Sequence, residues 1–164
     1  MYELIGLFIE DEAANVNIYT QLFALEGLKL DCLDKLPSTV DSYYDIILEK
    51  NVDFLIIDFH LEKQVTYKGI DVLREIRKYD STIYAVLLTN YELNDFADQF
   101  GDYDYELRKS DINSRYKDVA AKIKRACGLR KENLMYRAVE IKQQQDIETI
   151  RLLQEINSKL DERK

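Results

Sequence analysis

The sequence predicts a doubly wound α/β domain, in which a five-stranded parallel sheet carries helices on both faces, followed by a long C-terminal helix. Short apolar runs alternate along the chain with longer segments of helical periodicity. Parallel strands need a crossover, which a helix supplies, and continuous apolar strands fit a sheet covered on both faces. From residue 129 onward there is no proline or glycine, which favours one uninterrupted helix there.

The five strands are predicted from short apolar runs bounded by polar or turn-forming residues. The last run is less apolar than the others and suits an edge of the sheet. The predicted strands cover residues 4–9, 28–32, 53–57, 83–88 and 103–108.

The helices are predicted from apolar residues at helical spacing between these strands. Gly27, Gly101 and Gly128 are predicted to end three of them, because glycine accepts the left-handed conformation of many helix exits. Ser38 is predicted to cap the start of the second helix. The predicted helices cover residues 13–26 and 39–50, a segment through Ile70, Val72, Leu73 and Ile76, a short stretch ending at Phe100, and residues 112–127.

Composition and charge exclude several classes of protein. The formal net charge of −8 argues against general affinity for nucleic acid or anionic membrane, since both reward clustered Lys and Arg. No stretch approaches the roughly 20 apolar residues of a membrane span, and the opening MYELIGLFIEDE is too soon acidic for a signal peptide. Cys32 and Cys127 lie far apart beside a single histidine, which indicates neither zinc nor a disulfide framework. A cytoplasmic protein with reduced core thiols is expected.

The segment 129–164 is predicted as a helical C-terminal extension of a first domain that covers residues 1–128. It holds eight Lys and Arg and seven Asp and Glu, so it is near neutral. A polar stretch, KQQQD at 142–146, interrupts an apolar stripe formed by Met135, Ala138, Val139, Ile147, Ile150, Leu153, Ile156 and Leu160. Three interpretations stay open: association with a partner or a second copy, packing against its own domain, and a solvated helix.

Polar residues follow four of the predicted strands, at the point where each strand ends. Open parallel sheets bind ligands beyond the carboxyl ends of their strands, so these side chains are expected to meet at one edge. They are Glu10 and Asp11 after the first strand, Asp58 after the third, Thr89 after the fourth and Lys109 after the fifth.

This set of residue types indicates metal-assisted phosphoryl chemistry. Three clustered carboxylates repel one another unless a cation lies among them, and oxygen-only ligands favour a hard ion such as Mg²⁺. A carboxylate that faces a fixed lysine can attack phosphorus, because the metal and the lysine neutralise the oxygens of the transferring group. The first loop, EDEAAN, is acidic, which excludes the phosphate cradles of flavodoxin-like flavin binders and P-loop enzymes.

Over residues 1–128 the chain resembles the receiver domain of two-component response regulators, which have a CheY-like fold. The motifs that carry the resemblance are FIEDE at 8–12, LIID at 55–58, LLTN at 87–90 and LRKS at 107–110, with KGIDVLREIR at 68–77 matching the glycine-led third helix. The resemblance implies five helices and a sheet in the strand order 2-1-3-4-5.

The resemblance also implies a role for each residue at the sheet edge. Asp58 is the implied phosphoacceptor, and Thr89 and Lys109 are the switch hydroxyl and the phosphoryl-pairing cation. The implied Mg²⁺ ligands are Glu10, Asp11, Asp58 and the backbone carbonyl of His60.

The chain departs from the family pattern at several positions. Glu10 stands where aspartate is commoner, and Ser110 stands where the family usually has a proline. The loop after the third strand lacks the usual proline and reaches Gly69 later than in the family. Glu106 occupies the position of an aromatic switch residue, while strand alternation points the neighbouring Tyr105 to the other face.

The function implied by the resemblance is a phosphorylation switch. A sensor histidine kinase or phosphotransfer protein phosphorylates Asp58 with Mg²⁺, and a downstream protein effector reads the change. The chain is expected to be no enzyme beyond self-phosphorylation from small donors and autodephosphorylation. Nucleic acid and membrane are not expected partners, and a homodimer through the C-terminal helix is one expectation.

Two other functions are also compatible with the sequence. A phosphorylation-independent pseudo-receiver, which acts as an interaction or dimerisation module, is favoured by Glu106 and the altered loop. An aspartyl-phosphate hydrolase is less favoured, because His60 stands where such enzymes commonly place a second aspartate.

Overall fold

A computed structural model describes residues 3–90 and 102–163 of the chain. The chain divides into two units, Met1–Cys127 and Gly128–Lys164. One parallel sheet forms the centre of the first unit. Its strands are β1 (Leu4–Ile9), β2 (Leu28–Cys32), β3 (Phe54–Asp58), β4 (Tyr84–Thr89) and β5 (Tyr105–Arg108). The strand order is β2-β1-β3-β4-β5, and every pairing is parallel. The predicted fold class is confirmed, with Asp58 and Thr89 as the last residues of their strands.

Four α-helices lie in the described residues: α1 (Ala13–Leu25), α2 (Tyr43–Lys50), α3 (Gly69–Arg77) and α4 (Ile112–Asp161). Gly27 follows α1 with φ +76°, which confirms the predicted glycine exit. The prediction that Ser38 caps the second helix is wrong. The chain first forms a 3₁₀ turn, Val40–Ser42, whose preceding residue is Thr39, and no side chain caps this turn. The predicted short helix ending at Phe100 and stopped by Gly101 lies outside the described residues.

Both faces of the sheet are buried, as the apolar strands predict. On one face, Leu55 and Ile57 of β3 join a cluster with residues of α2 and α3. On the other face, Phe54 and Ile56 join a cluster with residues of α1 and the first turns of α4. All five residues of β3 are buried, so the strand that ends in Asp58 lies at the centre of the core.

Helix α4 continues through Gly128, so the prediction that this glycine ends a helix at residue 127 is wrong. Among the described glycines, Gly27 alone has a positive φ. Glycine within a helix costs about 1 kcal/mol relative to alanine, and the good helix formers on either side offset this cost. The predicted long C-terminal helix is confirmed.

We expect Gly128→Ala to raise the stability of α4 by about 0.5–1 kcal/mol, because a Cβ at this position would meet no atom within 4 Å. The measurement is thermal unfolding followed by far-UV circular dichroism. Gly27→Ala is the matched control and should destabilise the protein, since residue 27 has a φ of +76°. A lower melting temperature for Gly128→Ala would contradict the observed helical path.

The second unit is a helical segment whose large apolar side chains are exposed. Each of them exposes about half of its surface or more: Leu129, Leu134, Met135, Tyr136, Val139, Ile141, Ile147, Ile150, Leu152, Leu153, Ile156 and Leu160. Scattered exposed apolar residues are ordinary, but apolar blocks along one helix, here separated by the polar stretch at 142–146, indicate an association surface. None of the described helices combines the length and apolar character needed to span a membrane.

Candidate functional site

The carboxyl edge of the sheet brings the predicted site residues together. Ile9 at the end of β1 pairs with Ile57, and Asp58 pairs with Leu88 of β4, so the ends of three adjacent strands are level. The polar residues at these ends are buried: Glu10 is 4% exposed, Asp58 1% and Thr89 1%. Buried charge is costly unless it is paired, so this edge needs a cation.

Lys109 supplies a positive charge to this cluster. It begins a 3₁₀ turn, Lys109–Asp111, directly after β5. Its ammonium donates to Asp58 Oδ2 at 2.6 Å and lies 3.4 Å from Glu10 Oε2. Burial alone would lower the pKa of Lys109, but the hydrogen bond and the charge of Asp58, together with Glu10, raise it. The lysine is therefore held in its charged form.

The Glu10 carboxyl has a strongly raised pKa. Burial, and then the neighbouring Asp58, raise the pKa of the Glu10 carboxyl to about 8, while Lys109 acts in the opposite direction. Oε1 of Glu10 accepts the backbone N–H groups of Asp11 and Glu12 at 2.9 and 3.1 Å. The positive charge of Lys109 alone therefore does not balance the negative charge of these carboxylates, whereas a further cation would balance it.

The carboxylates fit a hard divalent cation. One oxygen each from Glu10, Asp11 and Asp58 lie within 4.8 Å of one another. Oxygen ligands with several waters are the usual surroundings of Mg²⁺, and the longer Glu10 side chain still reaches the cluster. The structure brings together the three carboxylates that the sequence analysis names as metal ligands. Metal binding by them and by the carbonyl of His60 stays a prediction.

The His60 side chain is directed toward a neighbouring carboxylate. Its Nδ1 lies 3.2 Å from Glu62 Oε1, while its backbone N–H donates to Asp58 Oδ1 at 3.2 Å. The residue therefore positions the Asp58 carboxylate through its main chain. This placement agrees with a role for its backbone rather than its imidazole.

A pocket with a volume of ≈ 290 Å³ opens beside Asp58. A space of this size accommodates a phosphoryl group and its hydration. Its lining combines acidic, basic and amide side chains: Asp11, Glu12, Asp58, His60, Glu62, Lys63, Asn90 and Lys109. Glu12, Glu62, Lys63 and Asn90 were not predicted as site residues.

The loop between β3 and α3 braces the acidic pair, a feature that the sequence did not predict. The backbone N–H of Lys63 donates to Asp11 Oδ2 at 3.0 Å, and the Lys63 ammonium forms an ion pair with Glu12. Gln64 Nε2 donates to the backbone oxygen of Asp11 at 3.2 Å. The only sequence signal for this arrangement is the length of the loop before Gly69.

The same loop is fixed to the segment that follows β2. The Tyr67 hydroxyl donates to the Pro37 carbonyl at 2.6 Å and lies 2.7 Å from the Tyr43 hydroxyl. The backbone N–H of Leu36 donates to Gln64 Oε1 at 3.3 Å. These contacts fix the loop whose residues Glu62 and Lys63 line the pocket.

Thr89 forms a hydrogen bond with Glu106, the residue at the position where the family has an aromatic side chain. The Thr89 hydroxyl donates to Glu106 Oε1 at 3.4 Å, across the pair formed by β4 and β5. Tyr105 packs against the opposite core cluster, as strand alternation predicts. The Thr89 hydroxyl therefore contacts a carboxylate instead of an aromatic ring.

Comparison with solved structures gives the class of fold: this chain has the fold of response regulator receiver domains. Response regulator TrrA from Thermotoga maritima, solved in complex with Mg²⁺–BeF, is 21% identical with a TM-score of 0.61, over 73% of this chain and 98% of its own. A receiver domain protein from Clostridium thermocellum is 23% identical with a TM-score of 0.62, over 80% and 98%.

The structure of histidine kinase ThkA in complex with TrrA also matches, at 22% identity and a TM-score of 0.57, over 73% of this chain and 97% of the matched chain. No protein-family model matches the sequence, and no curated protein is significantly similar to it. At these low identities the comparisons establish the fold, and the function is inferred from the site.

Proposed function

We propose that this chain is a response regulator receiver that accepts a phosphoryl group on Asp58 from a histidine kinase or a phosphotransfer protein. The observation that carries the proposal is the 2.6 Å ion pair between Lys109 and Asp58 inside a cluster of three carboxylates. A structural aspartate at a strand end would be solvated, whereas this one is buried beside a pocket.

The transfer follows from the groups around Asp58. A carboxylate oxygen of Asp58 attacks phosphorus, the new O–P bond forms, and the P–N bond to the donor histidine breaks. Lys109 neutralises charge on the phosphoryl oxygens, and the backbone N–H of His60 orients the carboxylate. Mg²⁺ held by Glu10, Asp11 and Asp58, with the His60 carbonyl, would supply the remaining positive charge.

The comparisons support this assignment at the level of the fold. TrrA binds Mg²⁺–BeF and is found in complex with the histidine kinase ThkA. A kinase of that class is therefore the proposed donor for this chain. We propose no turnover of free substrates beyond self-phosphorylation from small donors and autodephosphorylation.

The output is proposed to begin at Thr89. A phosphoryl group adds about −1.5 to −2 charges beside this residue and offers new oxygen acceptors. When the Thr89 hydroxyl turns toward them, its hydrogen bond to Glu106 is lost, and the released carboxylate changes the surface near β5. A downstream protein effector reads that surface, and the apolar blocks of α4 offer a second surface for association.

A pseudo-receiver is the second candidate, favoured by two contacts of this structure. The Lys63 backbone N–H already occupies one oxygen of Asp11, and Glu106 already holds Thr89. Both contacts would stabilise an unphosphorylated state. In that function the domain would bind its partners whether or not Asp58 is modified.

Incubation with acetyl phosphate and Mg²⁺ separates the two candidates. We expect intact-mass spectrometry to detect one phosphoryl adduct on the parent protein and none on Asp58→Asn, which keeps the size of the side chain. Chelation of the metal should abolish the adduct. Absence of any adduct on the parent, together with no beryllofluoride binding, would favour the pseudo-receiver, and turnover of varied phosphoesters would favour the hydrolase.

A further inference from the structure

The exposed face of the C-terminal part of α4 has two apolar blocks on either side of a charged centre. Met135 and Val139 lie before the centre, and Ile150 and Leu153 lie after it, each more than half exposed. At about 100° per residue, Lys142 and Asp146 fall on this same face between the blocks. Neither residue forms an ion pair with another side chain in the part of the chain that the structure describes.

The charged centre discriminates between the two ways of pairing this helix with a copy of itself. In a parallel pair in register, Lys142 would lie opposite Lys142 and Asp146 opposite Asp146, which is unfavourable for both. In an antiparallel pair centred on Gln144, each Lys142 lies opposite an Asp146 of the other copy. The symmetric arrangement makes this contact twice.

The same antiparallel arrangement also matches the apolar blocks. Met135 lies as far before Gln144 as Leu153 lies after it, so these two side chains are opposite each other. Val139 lies five positions before Gln144 and Ile150 lies six positions after it, so these two side chains are one position out of register and still adjacent. Because the paired residues also have similar directions around the helix axis, apolar side chains cover apolar side chains and the charges meet in the centre.

We propose that residues 129–163 bind a second copy of the same helix in an antiparallel pair centred near Gln144. Charge complementarity between Lys142 and Asp146 selects this occupant over a parallel copy and over an unrelated apolar partner. This pair would form through the proposed association surface of α4, and it does not depend on phosphorylation of Asp58. The polar centre limits the strength of the pair, so micromolar affinity is expected.

Cysteine cross-linking of the full chain tests the orientation. Met135→Cys and Leu153→Cys are prepared separately, one with a short tag, mixed and oxidised. The antiparallel pair should give a disulfide between residue 135 of one copy and residue 153 of the other. The Met135→Cys variant alone should give no disulfide between the two copies of residue 135, since these two residues are about 27 Å apart in the antiparallel pair. The parent protein controls for Cys32 and Cys127.

Sedimentation equilibrium of charge variants tests the centre. Lys142→Glu should raise the dimer dissociation constant about tenfold, and Lys142→Glu with Asp146→Lys should restore it. Lys159→Glu makes the same change of net charge off this face and should have little effect.

A monomer at about 100 μM would overturn the proposal, because a pair of micromolar affinity would be dimeric at that concentration. A disulfide between two copies of residue 135, or an unchanged dissociation constant for Lys142→Glu, would overturn it as well. Circular dichroism confirms that each variant is helical. Asp58→Asn should still dimerise, which separates this inference from the proposed phosphorylation.

Discussion

Replacing Lys109 with methionine is expected to destabilise the protein by about 2–4 kcal/mol when no divalent cation is present. Methionine keeps the apolar stem and removes the ammonium that contacts both Asp58 and Glu10. Two buried carboxylates then lack this counter-charge. Glu10 limits the loss, because its pKa is already raised to about 8 and it can take up a proton. Urea unfolding in the presence of a chelator measures the change.

Lys63→Met is the matched control for the Lys109 variant. The Lys63 ammonium pairs with Glu12 at the surface, with 69% of the lysine side chain exposed. Such exposed pairs contribute little to the free energy of unfolding, so this variant should remain close to the parent. Added Mg²⁺ should recover part of the stability lost in Lys109→Met, because a cation would again lie among the carboxylates. Equal, small losses in the two variants would show that the Lys109 pair does not stabilise the fold.

The sheet could be predicted from the sequence because its strands are buried on both faces. A run such as Phe54–Asp58 has no polar residue before its end, so its position is fixed by hydrophobicity alone. Once the strands are parallel, the residues at their carboxyl ends must lie together. Glu10, Asp58 and Lys109 could therefore be grouped without knowledge of any contact.

The course of the chain at Gly128 could not be predicted from local signals. A glycine ends a helix where the chain turns away, as at Gly27, but its presence does not force the turn. Whether the helix continues depends on the sum of propensities over the following residues. Here those residues are mostly good helix formers, and the helix extends to Asp161.

The contacts that refine the site are non-local and were also missed. The hydrogen bond from Lys63 to Asp11 joins residues 52 positions apart and depends on the path of an irregular loop. The contact between Thr89 and Glu106 depends on the register of β5, which is only partly apolar. A sequence pattern predicts which residue types lie at the ends of strands. The geometry of the loops and the register of the edge strand determine which side chains these residues contact.

Gly69→Ala is expected to destabilise the protein by about 2–3 kcal/mol. A Cβ at this position would lie 2.0 Å from the carbonyl oxygen of Asp58 and 2.8 Å from Ile57 Cγ2. The obstructing atom belongs to the backbone of a buried central strand, so it cannot turn aside as a flexible side chain could. The start of α3 must move instead, which strains the hydrogen bond from Gly69 N–H to the Phe59 carbonyl at 2.9 Å.

Gly128→Ala is the control for this substitution, because the same chemical change there meets open space and should stabilise the protein. The pair therefore separates steric contact at Asp58 from a general effect of adding a methyl group. Because the contact is with the backbone of Asp58, the proposed phosphoacceptor, Gly69→Ala should also slow the formation of the acetyl phosphate adduct at temperatures where the variant is folded. A variant as stable and as reactive as the parent would show that α3 does not pack against the backbone of Asp58, and that the longer loop, not the glycine, sets the position of the helix.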